Sequence, residues 1–347
     1  MPVMSAEVIN WAGLTFEEVA AGVPSGRRAA IRAGYRAAFI GAGGPDQVDI
    51  APVVREQRDG DLIKFVQALP DGLEIESVII PMYRGDESWR SLCVSSQVGC
   101  RMGCTFCETA QLGLLRNLTA SQIVGQVLAA RRIYNVDIRK LVFMGMGEPF
   151  DNFDEVVQSV KVLTDPAGLS MSKRQITIST VGRIAGLQRL GELGWKYLQV
   201  AVSLNAPNDE IRSQIMPVNR AEPMAALRQA MLDYPLRRNG YFMIEYVLIP
   251  GVNDRIEHAV ELADYLRPVR CCLNVIPYNP RRESPWLAPS EASIDAFMTA
   301  LRDAGQYCKR RITKGREQMA ACGQLGNRGL APAGRRGGRL HQLTPMP

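Results

Sequence analysis

Three cysteines in one short stretch carry the clearest chemistry that this sequence offers. Cys100, Cys104 and Cys107 follow the spacing C-x3-C-x2-C, and an aromatic residue, Phe106, precedes the last of them. Three thiolates on one loop can bind three irons of a cubane [4Fe–4S] cluster and leave the fourth iron without a protein ligand. A cluster that only transfers electrons normally has all four irons ligated by the protein. The spacing therefore predicts a cluster whose open iron binds a small molecule.

Two other uses of clustered cysteines fit this sequence less well. A structural zinc site needs four protein ligands, and the two histidines, His258 and His341, are distant from the cysteine loop along the chain. A disulfide framework is typical of short secreted proteins. This chain has 347 residues, and its N-terminus lacks the basic start and apolar core of a signal peptide.

The composition is that of an ordinary globular protein, with 46% hydrophobic and 22% charged residues. No apolar run reaches the roughly 18 residues that a membrane-spanning helix needs, so we expect no membrane partner. Eight cysteines and an oxygen-sensitive cluster are typical of a reducing compartment, which predicts a cytoplasmic protein. The net charge of +6 permits a polyanionic partner without identifying one.

From about residue 90 the sequence alternates between apolar strand patterns and amphipathic helix patterns. We predict six strands, near Cys93 and at 141–145, 175–180, 198–203, 243–248 and 272–276. The helix patterns lie at 119–135, 153–163, 184–193, 224–234, 256–266 and 290–304. Six such units imply a parallel sheet with right-handed crossovers but are too few for a closed eightfold barrel. The sequence therefore predicts an α/β fold, a partial (βα)6 TIM-like barrel with its site at the carboxyl ends of the strands.

Short polar motifs follow several of the predicted strands. They are Gly145-Met146-Gly147-Glu148-Pro149, Ser179-Thr180, Ser203-Leu204-Asn205 and Pro277-Tyr278-Asn279-Pro280. A glycine-rich strand end lets the backbone approach a ligand closely, and a neighbouring carboxylate can bind an ammonium group. Each motif alone is weak, but all are predicted at the same edge of the sheet.

The chain as a whole resembles one family of enzymes. The cysteine spacing is the signature of the radical S-adenosylmethionine (SAM) enzymes, in which the amino and carboxylate groups of SAM bind the open iron. Within that group the chain is similar to the RNA adenine methyltransferases of the RlmN and Cfr type. These enzymes methylate C2 or C8 of an adenosine in 23S ribosomal RNA, and some C2 enzymes also modify tRNA. The matching segments cover residues 75–325 in order: IESVIIP (75–81), LCVSSQVGC (92–100), GLLRNLT (113–119), FMGMGEP (143–149), SKRQITISTVG (172–182), APNDEIRSQIMPVN (206–219), PGVND (250–254) and AACGQL (320–325).

The resemblance implies which residues bind the cofactors. Cys100, Cys104 and Cys107 would bind the [4Fe–4S] cluster. The SAM contacts would be Gly147, Glu148, Ser179, Ser203, Leu204, Asn205 and Asn279. Two SAM molecules would be used in each turnover, and a flavodoxin- or ferredoxin-type protein would supply electrons.

The resemblance also implies three catalytic residues. Cys322 would carry the methyl group as S-methylcysteine, Cys93 would be its resolving partner, and Glu76 would accept a proton. In this family one SAM methylates the carrier cysteine, and a second SAM gives the radical that abstracts hydrogen from the S-methyl group. The carbon radical adds to the base, and the resolving cysteine releases the product as a transient disulfide forms.

Three regions follow from these patterns. Residues 1–85 would form an N-terminal accessory subdomain, with a helix at 27–40 and a β-hairpin around Pro70-Asp71-Gly72. Residues 86–322 would form the radical SAM core and the loop of the methyl-carrier cysteine. Residues 323–347 would be a flexible basic tail, since they are rich in glycine and proline and contain no acid. The tail arginines are Arg328, Arg335, Arg336 and Arg339.

A second group of arginines, Arg28, Arg32 and Arg36, recurs along the predicted N-terminal helix. Both groups could contact RNA phosphates. Long arginines beside an apolar stripe, however, commonly cover that stripe, and a solvated tail needs no partner.

Departures from the family pattern leave the substrate open. Asn205 stands where the family usually has histidine in SLHAPN, and CETA (107–110) replaces the usual CxTG. The N-terminal part is also short and matches poorly. One alternative is the same methyl-transfer chemistry on a small molecule or peptide. Another is a non-catalytic [4Fe–4S] protein that binds RNA or senses redox state. This second alternative is disfavoured because the chain has all three of Cys93, Glu76 and Cys322, which such a protein would not need.

Overall fold

One mixed ten-stranded sheet organises the chain. The computed structural model describes residues 10–41 and 48–327. The strands are β1 Val53–Asp59, β2 Leu62–Ala68, β3 Glu74–Arg84, β4 Glu87–Cys93, β5 Gln97–Gly99, β6 Leu114–Asn117, β7 Ile138–Phe143, β8 Ile176–Thr180, β9 Gln199–Ser203, β10 Phe242–Leu248, β11 Cys271–Pro277 and β12 Cys308–Arg310. The order of the strands in the ten-stranded sheet is β1-β2-β3-β4-β7-β8-β9-β10-β11-β12. The helices are α1 Phe16–Val19, α2 Ser25–Ile40, α3 Ala120–Ile133, α4 Phe153–Leu163, α5 Ile184–Glu192, α6 Asp209–Ile215, α7 Met224–Asp233, α8 Ile256–Leu266 and α9 Glu291–Asp303.

The parallel half of the sheet is the predicted partial barrel. Strands β4 and β7 to β11 are parallel neighbours and correspond to the six predicted strands. The long helices α3, α4, α5, α7, α8 and α9 occupy the six predicted helical segments. A seventh parallel strand, β12, pairs with β11. The sequence did not indicate β12, because it has three residues and two of them are exposed and charged.

The N-terminal strands extend the barrel sheet instead of forming a separate unit. The predicted hairpin is present as β2 and β3, which pair antiparallel. Strand β1 adds to the hairpin on one side, and β3 pairs antiparallel with β4 on the other. The N-terminal segment is therefore continuous with the first strand of the barrel.

Helix α2 has the predicted apolar stripe and uses its arginines to cover it. Tyr35 and Phe39 are buried, and their ring centroids lie 4.6 Å apart. Arg28 forms an ion pair with Glu17, and the guanidinium of Arg28 lies 5.6 Å from the Phe16 ring centroid. These contacts favour the covering interpretation over a phosphate-binding role for this part of the helix.

Alternation along the strands separates two chemically different faces. Ile178, Val202 and Ile244 are fully buried in the core, whereas their neighbours Ser179 and Ser203 line an internal cavity. The barrel therefore has a polar inner face at one end, where the predicted site lies.

The predicted tail is wrong at its first residues. Gln324, Leu325 and Gly326 are buried and hydrogen-bonded to other parts of the chain. The tail arginines, Arg328 to Arg339, lie outside the described residues. Within residues 10–41 and 48–327, no helix combines the length and the apolar character needed to cross a membrane.

Candidate active site at the carboxyl ends of the strands

The cysteine loop is closed at its base by the small β5–β6 sheet. The backbone N–H of Cys100 donates to the Gly113 carbonyl at 2.9 Å. Gly99, directly before it, has a φ of +77°, and a Cβ at this position would lie 1.9 Å from the Gly113 oxygen. A glycine is therefore required for the strand to enter the loop.

The three loop cysteines line one cavity. Helix α6 packs behind the loop, where Ile211 and Ile215 join the same apolar cluster as Cys100 and Cys104.

The donor set fits a cubane cluster better than a single ion. Among the described residues, no three Cys, His, Asp or Glu side chains converge on one metal ion, and a cubane instead uses one thiolate per iron. Burial raises the pKa of Cys100 to about 12 and also raises those of Cys104 and Cys107. Metal binding removes the thiol protons and offsets this cost. Cys100, Cys104 and Cys107 can therefore hold a [4Fe–4S] cluster at this wall.

Most of the predicted SAM contacts line the same cavity: Gly147, Glu148, Ser179, Ser203, Asn205 and Asn279. Leu204 is the exception. Its side chain is fully buried in the core, its N–H donates to the Glu245 carbonyl at 3.0 Å, and its own carbonyl accepts from Arg212 at 3.1 Å. The structure therefore places Leu204 behind the cavity wall, because alternation turns this position away from the ligand side.

Glu148 is a buried carboxylate in the cavity wall. One of its oxygens accepts from the Val181 N–H at 2.8 Å and the other from the Phe150 N–H at 3.0 Å. Burial outweighs these hydrogen bonds and raises the pKa of Glu148 to about 7. Gly147, with a φ of +100°, lets the chain pass Gln97, whose Cβ would lie 2.6 Å from an added Cβ. The carboxylate can thus bind an ammonium group when it is ionised.

Asn205 is a cavity residue whose side chain is already engaged. Its φ is +59°, a conformation that asparagine tolerates better than most residues. Its Oδ1 accepts from the Val247 N–H at 2.9 Å, and its Nδ2 lies 3.3 Å from Met216 Sδ. Asn205, which stands where the family usually has histidine, therefore links the end of β9 to β10 by a hydrogen bond.

Arg212, which the sequence analysis did not identify, supports the same wall from behind. It is fully buried, and it donates to the carbonyl oxygens of Leu204 and Val181 and to Asn219 Oδ1. A buried guanidinium needs such partners to offset the loss of water. Arg212 therefore holds together the strand ends that would contact SAM.

Residues 311–327, which we call the carrier segment, cross the open side of the barrel and bring Cys322 to the cavity. The Glu108 N–H donates to the Gly323 carbonyl at 2.7 Å, and Thr109 Oγ1 donates to the Leu325 carbonyl at 2.6 Å. The backbone of Glu108 and the side chain of Thr109 therefore dock the carrier segment beside the cysteine loop.

Glu76 lies at the far end of the carrier segment in a buried ion pair. Its Oε2 is 2.9 Å from Lys64 Nζ and accepts from the Gly326 N–H at 3.0 Å. Lys64 also donates to the Met319 carbonyl at 3.0 Å. Sequence reasoning missed Lys64 because its strand, LIKFVQA, reads as an apolar hairpin arm with one solvated lysine. The structure joins the predicted proton acceptor to both flanks of Cys322.

The two predicted reaction cysteines share one electrostatic environment. Cys93 is buried at the end of β4, and its thiol and that of Cys322 are both free. Burial and, after it, the charge of the nearby Cys322 raise the pKa of Cys93 to about 12. The sequence analysis did not identify two charged residues at this cavity, Arg311 directly after β12 and Glu245 on β10. Arg311 Nη1 lies 3.6 Å from Glu245 Oε2.

Comparisons with known proteins agree with this site. The model of the Radical SAM superfamily matches residues 94–263. The probable dual-specificity RNA methyltransferase RlmN 1 of Protochlamydia amoebophila is 44% identical over 276 residues, which is 80% of this chain and 76% of that protein. The dual-specificity RNA methyltransferase RlmN of Campylobacter jejuni is 41% identical over 288 residues, or 80% and 81% of the two chains.

A solved structure extends the similarity to the fold. The crystal structure of a radical SAM methyltransferase from Sphaerobacter thermophilus aligns with a TM-score of 0.83 and 35% identity, over 91% of this chain and 98% of that one. The predicted partial barrel and the predicted enzyme class are thereby confirmed. The cavity combines three cysteines that can hold a [4Fe–4S] cluster with residues suited to SAM, the two cofactors that this family uses. The chain therefore belongs to the radical SAM RNA methyltransferase family of the RlmN type.

Proposed function

We propose that this protein methylates C2 or C8 of an adenosine in 23S ribosomal RNA, and that tRNA can serve as a second substrate. The observation that carries the proposal is the meeting of Cys322 with Cys100, Cys104 and Cys107 at one cavity, across more than 200 residues of sequence. The residues suited to SAM line the same cavity, and a cluster that only transferred electrons would not need them.

The roles of the chain's own residues follow from their positions. A cluster with SAM on its open iron supplies, when bound, an organic radical that can abstract hydrogen from a methyl group. Cys322 takes a methyl group from one SAM: a C–S bond forms, and the sulfonium S–CH3 bond breaks. Cys322 then presents this carbon to the base from the carrier segment, which Glu108 and Thr109 hold at the cavity.

Two residues complete the transfer after the methylene carbon has joined the base. A [4Fe–4S] cluster held by Cys100, Cys104 and Cys107 would supply the oxidant that takes one electron from the adduct, and Glu76 then accepts the proton of the modified carbon. Cys93 then attacks the sulfur of Cys322, so that an S–S bond forms, the bond from sulfur to the new carbon breaks, and the methylated base leaves after it takes up a proton. The charge of Cys322 is one of the causes that raise the pKa of Cys93, so the two thiols lie within electrostatic range of each other, which supports this resolving step.

The remaining assignments belong to the same proposal. RNA as the substrate is supported by relatives whose names describe RNA methyltransferases, and these names do not favour a small-molecule or peptide substrate. We further propose that residues 1–85 help to hold the RNA, that the protein acts in the cytoplasm, and that a flavodoxin- or ferredoxin-type protein supplies the electrons.

Intact mass spectrometry of the Cys93→Ala variant, expressed in a bacterial host, tests the proposal. Without the resolving thiol, a covalent RNA adduct should accumulate on Cys322 and shrink to a nucleotide on nuclease digestion. Cys271→Ala, at the opposite end of β11 from the cavity, is the matched control and should give no adduct. Methylated Cys322 without any nucleotide would instead support the small-molecule or peptide alternative. Unmodified Cys322 in protein with an intact cluster would refute the methyl-carrier role.

A further inference from the structure

The amino ends of the parallel strands lie at the opposite end of the barrel from the cavity, and they carry exposed basic residues. The loops that lead into β9, β10, β11 and β12 are 193–198, 234–241, 267–270 and 304–307, and they contain no acidic residue. Glu192, Asp233 and Asp303 are the last residues of the helices before three of these loops. A strand as long as β11 spans about 20 Å, so this edge of the sheet is well separated from the cysteine loop.

The basic residues at this edge form a group that we call the amino-edge belt. Its members are Lys140, Lys173, Arg174, Lys196, Arg237, Arg238 and Arg270. All of them are exposed except Lys173, which is half-buried. Hydrogen bonds join several members: Lys140 Nζ donates to the Arg174 carbonyl at 2.7 Å, and Arg270 Nη1 donates to the carbonyl oxygens of Arg238 at 2.9 Å and Arg237 at 3.4 Å.

Aromatic rings hold other belt cations in place. The ring of Tyr197, a residue that is 53% exposed, has its centroid 4.3 Å from the guanidinium carbon of Arg174 and 5.9 Å from that of Arg237. Lys173 Nζ lies 5.1 Å from the Trp195 ring centroid. A stacked guanidinium is fixed in direction but keeps N–H donors at its edge for another ligand. Together with the hydrogen bonds, these contacts join the segments before β8, β9, β10 and β11 into one basic surface.

The chain does not neutralise the charge of this surface. Within residues 10–41 and 48–327, no carboxylate forms an ion pair with a belt cation, whereas Arg189 and Arg267 pair with Asp154 and Asp264. Basic residues near the end of a helix also interact favourably with its dipole, but this effect falls off beyond the last turn. Arg237 and Arg238 lie four and five residues past the end of α7. The belt therefore has charge that is available to an anionic partner.

We propose that the amino-edge belt is a second RNA-binding surface, which contacts phosphates of the substrate RNA at a distance from the base that is methylated. A row of fixed guanidinium and ammonium groups matches the regular spacing of charge along a phosphate backbone. An acidic electron-transfer protein matches the sign of the charge, but at this edge it would bind far from the cysteine loop. The inference rests on the proposed function. It predicts that a long, folded RNA binds more tightly than a short hairpin, because only the long RNA reaches both ends of the barrel.

The salt dependence of RNA binding by the cluster-containing protein tests the proposal, with a structured fragment of 23S rRNA as the probe. Arg174→Gln/Arg237→Gln removes two belt charges, and Arg189→Gln/Arg228→Gln, which removes two charges from α5 and α7, is the matched control. The belt variant should bind the fragment about tenfold more weakly at about 0.1 M salt. Its plot of log affinity against log salt concentration should be shallower by about 1.5–2, since each lost phosphate contact removes about 0.7–0.9 from the slope. The control should keep the wild-type slope.

Two further readouts separate a distant contact from a defect at the cavity. A short hairpin that carries the target adenosine should bind the belt variant and the wild type equally well. Methylation of the 23S rRNA fragment by the belt variant should show a raised KM and an unchanged kcat, because the belt binds phosphates and does not touch the reacting base. SAM cleavage in the absence of RNA should also be unchanged.

If the double variant fails to fold, as judged by iron content, Arg238→Gln decides the matter, and its salt slope should be shallower by about one. An affinity and slope equal to those of wild type would overturn the inference. So would unchanged RNA binding combined with slower reduction by a flavodoxin-type protein, which would assign the belt to the electron donor. If the proposed function fails but the inference holds, Cys93→Ala gives no adduct, while RNA binding still depends on the belt. If only the inference fails, Cys93→Ala gives the adduct and the belt variant binds RNA like wild type.

Discussion

Replacing Glu148 by glutamine separates charge from shape in the cavity wall. The glutamate is almost fully buried and accepts two backbone hydrogen bonds, and burial raises its pKa from 4.5 to about 7. Glutamine has nearly the same size but cannot ionise. A difference between the two proteins that changes with pH therefore reports the ionisation of this one group.

The direction of the effect follows from proton binding. The pKa of Glu148 is higher in the folded protein than in the unfolded chain, so the folded state binds more protons between pH 4.5 and about 7. The contribution of Glu148 to the free energy of unfolding is therefore largest below pH 4.5, and it falls as the pH rises from 4.5 to about 7. At about 1.4 kcal/mol per pH unit, the loss amounts to about 3 kcal/mol.

Urea unfolding of the cluster-free, fully reduced protein at several pH values between 4.5 and 8 measures this loss. The free energy of unfolding of Glu148→Gln, relative to wild type, should rise by about 3 kcal/mol across the range. Glu257→Gln, which changes an exposed acid on α8, should show a much smaller pH-dependent difference. A wild-type minus Glu148→Gln difference that stays constant within about 0.5 kcal/mol would refute the assignment of a buried, near-neutral carboxyl group.

SAM binding by the cluster-containing protein gives an independent readout. If the ionised Glu148 accepts a hydrogen bond from the SAM amino group, the affinity should fall about tenfold between pH 8 and pH 6, because the ionised fraction of Glu148 falls by that factor. The Glu148→Gln variant should bind weakly at both pH values. Equal pH dependence in the two proteins would remove Glu148 from SAM recognition.

Three further predictions follow from the site. Cys322→Ala should abolish methylation while leaving the cluster absorbance intact, so retained turnover would exclude Cys322 as the carrier. Cys104→Ala should lose most of its iron, whereas Cys271→Ala should not, and a full iron complement in Cys104→Ala would contradict the ligand assignment. Lys64→Met leaves a buried carboxylate without its ion-pair partner and should destabilise the fold by about 3–5 kcal/mol in urea unfolding. Adding Glu76→Gln should restore much of that loss, and strictly additive losses would refute the pairing.

The barrel could be predicted from the sequence because its helices are amphipathic and its inner strands are short and apolar. The predicted bounds of α4 and α8, 153–163 and 256–266, match the structure. Strand β12 and helix α6 were missed because three and seven residues, respectively, are too few to show a clear period. The continuity of the N-terminal strands with the barrel was also not predictable, since strand pairing is not visible in local patterns.

The cysteines of the site could be predicted, but the charges that control them could not. The spacing of Cys100, Cys104 and Cys107 identifies them as candidate cluster ligands. Cys93 and Cys322 can be identified because they lie in segments that resemble family motifs. Lys64 and Arg311 look like ordinary surface charges in the sequence, because their partners are distant along the chain. Long-range pairing of this kind leaves no local signal.

The carrier segment has a consequence for how the protein becomes active. Its contacts join residues that are up to 255 positions apart, from Lys64 to Met319, so they need the longest chain closures in the molecule. The barrel contains many contacts of shorter range and can form before these closures are made. We therefore expect catalytic competence to be acquired last during folding. Under mild denaturant or heat, it would also be lost first, while the barrel remains intact.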